Sequence, residues 1–182
     1  MSIRMWLAGS AAWLCVVSVP VHAQEARTVY LQAGGGEDRV YNATVGVTLP
    51  WQRLAWDVGG GVVRGHWDWY VSNWSSRAMG EGRHNLAVLG VVPSLRWRGD
   101  QGKSPWFVEV GTGVSVSDGH YRSAGKTFST RFNFASHIGI GRNFGSRSEH
   151  ELSLRLQHSS NAGIKRPNPG ENLVLLRYAH TF

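Results

Sequence analysis

The segment 173–182 constrains the fold more than any other stretch, because its side chains follow a strict two-residue period. Val174, Leu176, Tyr178, His180 and the terminal Phe182 share one face, while Arg177, Ala179 and Thr181 take the other. Only an extended strand has that period, and one face of this strand is apolar enough to meet hydrocarbon. Segment 106–117 repeats the parity: Val108, Val110, Val114 and Val116 oppose Glu109 and Ser115. A carboxylate is costly in hydrocarbon but fits a polar barrel interior, so both strands point their even numbers outward.

Eight such stretches lie near residues 26–34, 39–49, 53–65, 83–97, 106–117, 128–144, 151–160 and 173–182, broken by Gly, Asn, Asp, Ser and Pro. Beyond residue 23 no apolar run reaches the roughly 18 residues of a membrane helix, and no segment keeps a helical period for long. The predicted connections alternate in length. Those at 50–52, 98–105 and 145–150 are short or modest, those at 66–82, 118–127 and 161–172 are longer, and the first, near Gly35, breaks the trend. Outer-membrane barrels keep short turns at one end and long loops at the other. Trp51, Trp56, Trp97 and Trp106 flank the short turns, and Trp67, Trp69, Tyr70 and Trp74 fall near a long loop, as two interfacial girdles require. The expected fold class is all-β, an eight-stranded antiparallel up-and-down transmembrane β-barrel. A secreted β-sandwich alternates too, but the aromatic placement and the terminal Phe favour the barrel. A chain that ends on an aromatic after such alternation resembles the terminal signal that bacterial outer-membrane barrels present to their assembly machinery.

The amino terminus agrees with export. Arg4 precedes an apolar run from Met5 to Val19, and Val21-His22-Ala23 offers a small residue before a cut, so residues 1–23 read as a signal peptide and 24–182 as the mature barrel. The single Cys15 lies in the removed part, which excludes a disulfide framework or thiolate metal cluster. A content of 42% apolar and 11% aromatic residues excludes disorder. The net charge of +7 falls to about +6 without Arg4 and favours anionic partners, while export argues against nucleic acid. Glu109, Arg155, Gln157 and Arg177 are expected to form a polar network that fills a lumen too narrow to conduct.

The same parity, applied to 151–160, sends Leu152, Leu154 and Leu156 outward and Glu151, Ser153, Arg155 and Gln157 inward. Continued, it sends His158 and Ser160 outward as well, at the top of a leucine stripe. Residues two apart on a strand face stand side by side, so an imidazole can reach the neighbouring hydroxyl. A serine needs such a base, and the base needs a group that fixes its tautomer. As an interface marker the pair needs no function. The loop that follows, Asn161-Ala-Gly-Ile-Lys-Arg-Pro-Asn-Pro-Gly-Glu-Asn172, is turn-forming and able to hold a fixed shape.

Here the sequence resembles the lipid A 3-O-deacylase family (PagL), whose active-site strand and loop look like His-x-Ser-Asn-Ala-Gly-x-Lys-x-Pro-Asn-x-Gly. His158, Ser160, Asn161, Ala162, Gly163, Lys165, Pro167, Asn168 and Gly170 match in that spacing. The resemblance implies a bacterial outer-membrane enzyme that removes the ester-linked acyl chain at the 3-position of lipid A in lipopolysaccharide. Ser160 would be nucleophile and His158 general base, with no cofactor. The family's third member is an acid shortly after the loop, which makes Glu171 the candidate. The best-known pattern has the acid one residue later, where this chain carries Asn172. By parity Asn172 faces outward and Glu171 inward, so Glu171 would need a bulge near Gly170 to reach His158. The competing reading leaves Glu171 as a lumen or rim carboxylate near Arg177 and lets Asn172 orient the histidine. A charge stabilises an imidazolium better than an amide does, which favours Glu171.

Oxyanion donors expected by position are Asn168 and the N–H of Gly163, with Asn161 as a substitute, although any tight loop uses these residue types. Lys165 and Arg166 are candidates for gripping the lipid's phosphates or sugars. His66, His84, His120, His137, His150 and His180 have no ligand spacing, so no metal is expected. A soluble hydrolase elbow, a P-loop and a dinucleotide fingerprint are all missing from the sequence. Two alternative functions remain: a non-enzymatic small barrel for adhesion or membrane integrity, and an outer-membrane phospholipase. Homodimers occur in the family, though no segment of the sequence reveals an interface.

Overall fold

The computed structural model describes residues 27–77 and 82–182; the expected signal peptide, with Cys15, lies outside them. Eight strands form one closed barrel in which each pairs antiparallel with its sequence neighbour and β1 closes against β8. They are β1 (Thr28–Gly36), β2 (Tyr41–Val58), β3 (Gly61–Arg77), β4 (Arg83–Arg98), β5 (Trp106–Ser117), β6 (Phe132–Phe144), β7 (His150–Ser160) and β8 (Glu171–Thr181). Closure removes the edge strands that an open sheet would present. The turns at 59–60, 99–105 and 145–149 lie at the end where β1 begins and β8 finishes. The connections at 37–40, 118–131 and 161–170 lie at the other end, where β3 finishes and β4 begins, and that end carries the candidate site.

Facing follows the expected parity on the strands that define it. On β8, Val174, Leu176, Tyr178 and Phe182 are exposed while Leu173, Leu175, Arg177 and Ala179 are buried. On β5, Val108, Val110 and Val116 are exposed and Glu109 is buried; on β7 the leucines are exposed and Glu151, Ser153 and Arg155 are buried. The wall is therefore apolar outside and polar inside, as suits a barrel surrounded by hydrocarbon. Inside, Asp68 accepts from Tyr30 Oη at 2.5 Å, Arg155 Nη1 at 2.8 Å and Arg177 Nη2 at 2.9 Å. Arg155 also pairs with Glu109, and Arg96 bridges Glu109 at 2.8 Å to Glu151 at 2.6 Å. Glu109, Arg155 and Arg177 thus share one network, which Gln157 does not join and whose hub, Asp68, escaped the sequence reading. Buried charges at this density persist because each has opposite-sign partners.

The second and third strands correct the expected boundaries. Residues 50–52 are not a turn. β2 runs through them with a register shift between Pro50 and Ala55, and the chain reverses at Gly59–Gly60, with φ of +57° and +73°. Two successive positive φ values suit a tight hairpin turn, and glycine reaches them without a Cβ penalty. Pro50 reads as a breaker because it lacks an N–H, but a bulge tolerates it. Residues 66–77 of the expected loop 66–82 are consequently the body of β3. Trp67 and Trp69 stand outward in mid-strand, with Trp67 edge-on to Trp51 at 5.8 Å, and Tyr70 and Trp74 are buried inside. The second girdle expected from these four residues is not formed by them. Trp56 and Trp106 are exposed near the short-turn end, as expected.

Candidate active site

Strands β6, β7 and β8 carry the site on their outer faces at the loop end. The ladder sets Ser136 beside His158 and His158 beside Asn172, so three polar side chains form a row across an otherwise apolar wall. Thr112 of β5 extends it, with its hydroxyl 2.8 Å from that of Ser136. His158 Nδ1 lies 2.8 Å from Asn172 Oδ1. An amide oxygen only accepts, so Nδ1 carries the proton and Nε2 is left as the basic nitrogen. Ser160 follows two residues on, half-buried on the same face and paired with Phe134. By the strand rise its α-carbon stands roughly 6–7 Å from that of His158, and the hydrogen bond the imidazole makes is to Asn172 rather than to Ser160 Oγ.

Gly170 backs the imidazole. A Cβ there would stand 2.8 Å from His158 Cε1, and its φ of +70° disfavours any other residue. The ring is thus held between Asn172 on one edge and a bare α-carbon on another.

Glu171, the favoured third member, does not come to His158. The ladder continues without a slip through His158 with Asn172 and Ser159 with Glu171, so the bulge that would turn the carboxylate outward does not form. Glu171 is instead fully buried on the inner face. Its Oε2 accepts from Tyr121 Oη at 2.8 Å and lies 3.4 Å from Lys126 Nζ. Nor does it approach Arg177 as a partner, since that guanidinium is taken by Gln32 and Asp68. Asn172 occupies the orienting place because one residue of offset reverses facing.

The loop between β7 and β8 is tied by Asn161, whose side chain is 1% exposed. Its Oδ1 accepts from Gly163 N–H at 2.9 Å, and its Nδ2 donates to Ser129 Oγ at 3.1 Å and to the Lys165 carbonyl at 2.8 Å. Asn168 Oδ1 accepts from Asn161 N–H at 2.9 Å. Gly163 N–H and Asn161 Nδ2 are therefore committed to holding the loop. Among the described residues no acceptor takes Asn168 Nδ2, which leaves it as the available donor of the three candidates. Lys165 and Arg166 are exposed on the loop.

A groove of about 760 Å³ opens beside His158 and Asn172, lined also by Gly35, Gly36, Ile138, Leu156 and Val174. Glu37 stands at its rim, 3.0 Å from Lys126 Nζ. Burial works against the charge of Lys126, yet hydrogen bonds and attraction from Glu37 and Glu171 hold its ammonium above the ordinary range. Sequence reasoning missed Ser136, which the even-outward rule would have found on β6. It also missed Tyr121, Lys126 and Ser129, whose loop carries no periodic signal. Among the described residues no group of three or more His, Cys, Asp or Glu side chains is arranged to hold a metal ion.

Residues 40–181 match the family model for lipid A 3-O-deacylase (PagL). The chain is 29% identical over 161 residues to lipid A deacylase PagL of Pseudomonas aeruginosa, covering 88% of this chain and 90% of that protein. It is 37% identical over 92 residues to lipid A deacylase PagL of Bordetella bronchiseptica, covering 50% of this chain and 48% of that one. Its fold is similar to the crystal structure of the outer membrane enzyme PagL, with a TM-score of 0.72 at 24% identity over 84% of this chain and 98% of that chain. A designed transmembrane β-barrel is similar at a TM-score of 0.50 and 12% identity, over 86% and 95% of the two chains.

Proposed function

The chain belongs to the lipid A 3-O-deacylase (PagL) family, and from that premise we propose that it is an outer-membrane enzyme that hydrolyses the ester-linked acyl chain at the 3-position of lipid A. In this reading Ser160 Oγ attacks the ester carbonyl carbon while His158 Nε2 takes the hydroxyl proton, and Asn172 keeps the proton of Nδ1 in place. Negative charge moves to the carbonyl oxygen, where Asn168 Nδ2 donates to it. Collapse breaks the bond to the sugar oxygen, which leaves with the proton held by His158. Water then attacks the acyl-serine, again giving a proton to His158, and the fatty acid departs with Ser160 restored. Each member comes from β7, β8 or the loop between them, so the reaction needs no second copy of the chain.

The observation that carries the reading is the outward row itself: an imidazole oriented by a 2.8 Å contact to Asn172, two residues before a serine, beside an apolar groove on the barrel wall. A residue that merely ended the hydrocarbon belt would need neither an orienting amide nor a glycine at its back. The groove suits an acyl chain, and Lys165 and Arg166 suit the phosphates or sugars of the same lipid. The test is mass spectrometry of purified lipopolysaccharide treated with the parent protein and with Ser160→Ala. The expected result is loss of a hydroxy-acyl unit with the parent alone. Unchanged lipid with both proteins would favour a structural barrel, and fatty acid released only from glycerophospholipid would favour a phospholipase.

A further inference from the structure

The β5–β6 connection does not project from the barrel. It folds back into the mouth, where Tyr121 and Phe128 are each 2% exposed. Tyr121 meets Trp74 edge-on at 5.6 Å and Phe128 at 4.8 Å, and Phe128 N–H donates to the Tyr121 carbonyl at 2.9 Å. The tuck delivers two polar groups to one place: Tyr121 Oη and Lys126 Nζ both converge on Glu171 Oε2. A third residue of the same segment, Ser129, donates from Oγ to the Lys165 carbonyl at 2.8 Å and from its N–H to the Pro167 carbonyl at 3.3 Å.

Glu171 and Asn172 are consecutive, so they leave opposite faces of one backbone, and fixing the inner side chain fixes the outer. That end of β8 has little other support. Its pairing with β1 stops at Gly36 and Leu173, so residues 171 and 172 are hydrogen-bonded into the ladder on the β7 side alone. The residue before them is Gly170, with positive φ. A strand end held on one side frays easily, and a fully buried carboxylate seated against an ammonium and a phenol resists that motion.

We infer that Tyr121 and Lys126 are positioning residues that hold Asn172 in register with His158 by clamping the carboxylate of Glu171 behind it, with Ser129 steadying the active-site loop. The inference rests on the reading above, in which His158 and Asn172 act together. Glu171 keeps a place in catalysis, through the backbone rather than as the third member of the site.

The test compares Tyr121→Phe, Lys126→Met and Lys126→Arg with the parent and with Ser160→Ala, reading kcat and KM on lipopolysaccharide in mixed micelles and the thermal unfolding of the barrel. Displacing an orienting group by a fraction of an ångström slows chemistry without weakening substrate binding. Tyr121→Phe and Lys126→Met should therefore lose about ten- to a hundredfold in kcat, with KM held within about twofold and unfolding unchanged. Lys126→Arg, which keeps the charge, should recover most of the rate. Parent-like kcat in Tyr121→Phe and Lys126→Met, with Ser160→Ala inactive, overturns the clamp alone. A rate that falls only together with the unfolding temperature also overturns it, since a plain stability effect would do that. An active Ser160→Ala overturns the catalytic reading and the clamp with it.

Discussion

Replacing Asn172 by Asp tests the orienting contact more sharply than deletion does, because the two side chains have the same shape and differ in charge. In the parent, His158 Nδ1–H meets a neutral amide oxygen at 2.8 Å. A hydrogen bond between neutral partners contributes roughly 0.5–1.5 kcal/mol net, and one to a charged partner roughly 1.5–3 kcal/mol. In the proposed mechanism His158 becomes an imidazolium during the attack, so the carboxylate gains over the amide mainly in the transition state, by about 1–1.5 kcal/mol from the difference of those ranges. At roughly 1.4 kcal/mol per tenfold, Asn172→Asp should raise kcat about five- to tenfold. Asn172→Ala frees the ring to rotate and should lower kcat by about a hundredfold. The assay is the initial rate of hydroxy-fatty-acid release from lipopolysaccharide in detergent micelles, with the folded barrel verified for each variant. If Asn172→Asp were as slow as Asn172→Ala, or Asn172→Ala as fast as the parent, the amide would not be what holds the imidazole.

Gly170→Ala should cut activity at least about tenfold with the barrel intact, because its Cβ would press on His158 Cε1 at 2.8 Å and its φ is +70°; parent-like rates would show that the ring is not held there. Asp68→Asn should destabilise the barrel by about 3 kcal/mol in urea titrations, because it removes the charge that Arg155 and Arg177 share; an unshifted midpoint would mean the hub carries little. The raised Lys126 sets a pH window. Its hold on Glu171 is complete below the ordinary lysine value of 10.5 and is lost as pH rises through the higher folded value, so the difference in kcat between the parent and Lys126→Met should hold through mildly alkaline pH and shrink only beyond it. A difference that collapses near neutrality would contradict the pairing with Glu37 and Glu171.

Facing was legible wherever one side chain in two is apolar and the alternate one is charged, as with Val108 and Glu109 or Leu154 and Arg155. A two-residue period has no other interpretation. His158 and Ser160 could be placed outward on the same ground. The β2–β3 hairpin was not legible, because Pro50 mimics a turn and the bulge that accommodates it erases the period for several residues. Trp67 and Trp69 consequently read as loop residues in the sequence although they stand in mid-strand. Choosing between Glu171 and Asn172 required the ladder itself. Parity favoured Asn172 and charge favoured Glu171, and a single unslipped pairing decides the facing. Tyr121, Lys126 and Ser129 left no trace, since a loop that tucks into a barrel mouth is built by contacts far apart in the chain.

On the proposed function, the outward register of His158 dictates how the catalyst meets its lipid. Nothing has to be drawn out of the leaflet into a cavity, because encounter is a lateral, two-dimensional search along the barrel flank. Turnover should then follow the mole fraction of lipopolysaccharide in the surrounding amphiphile rather than its bulk concentration. Adding inert detergent at constant substrate would slow the reaction by surface dilution alone, and the freed fatty acid would start its life already dissolved among its neighbours.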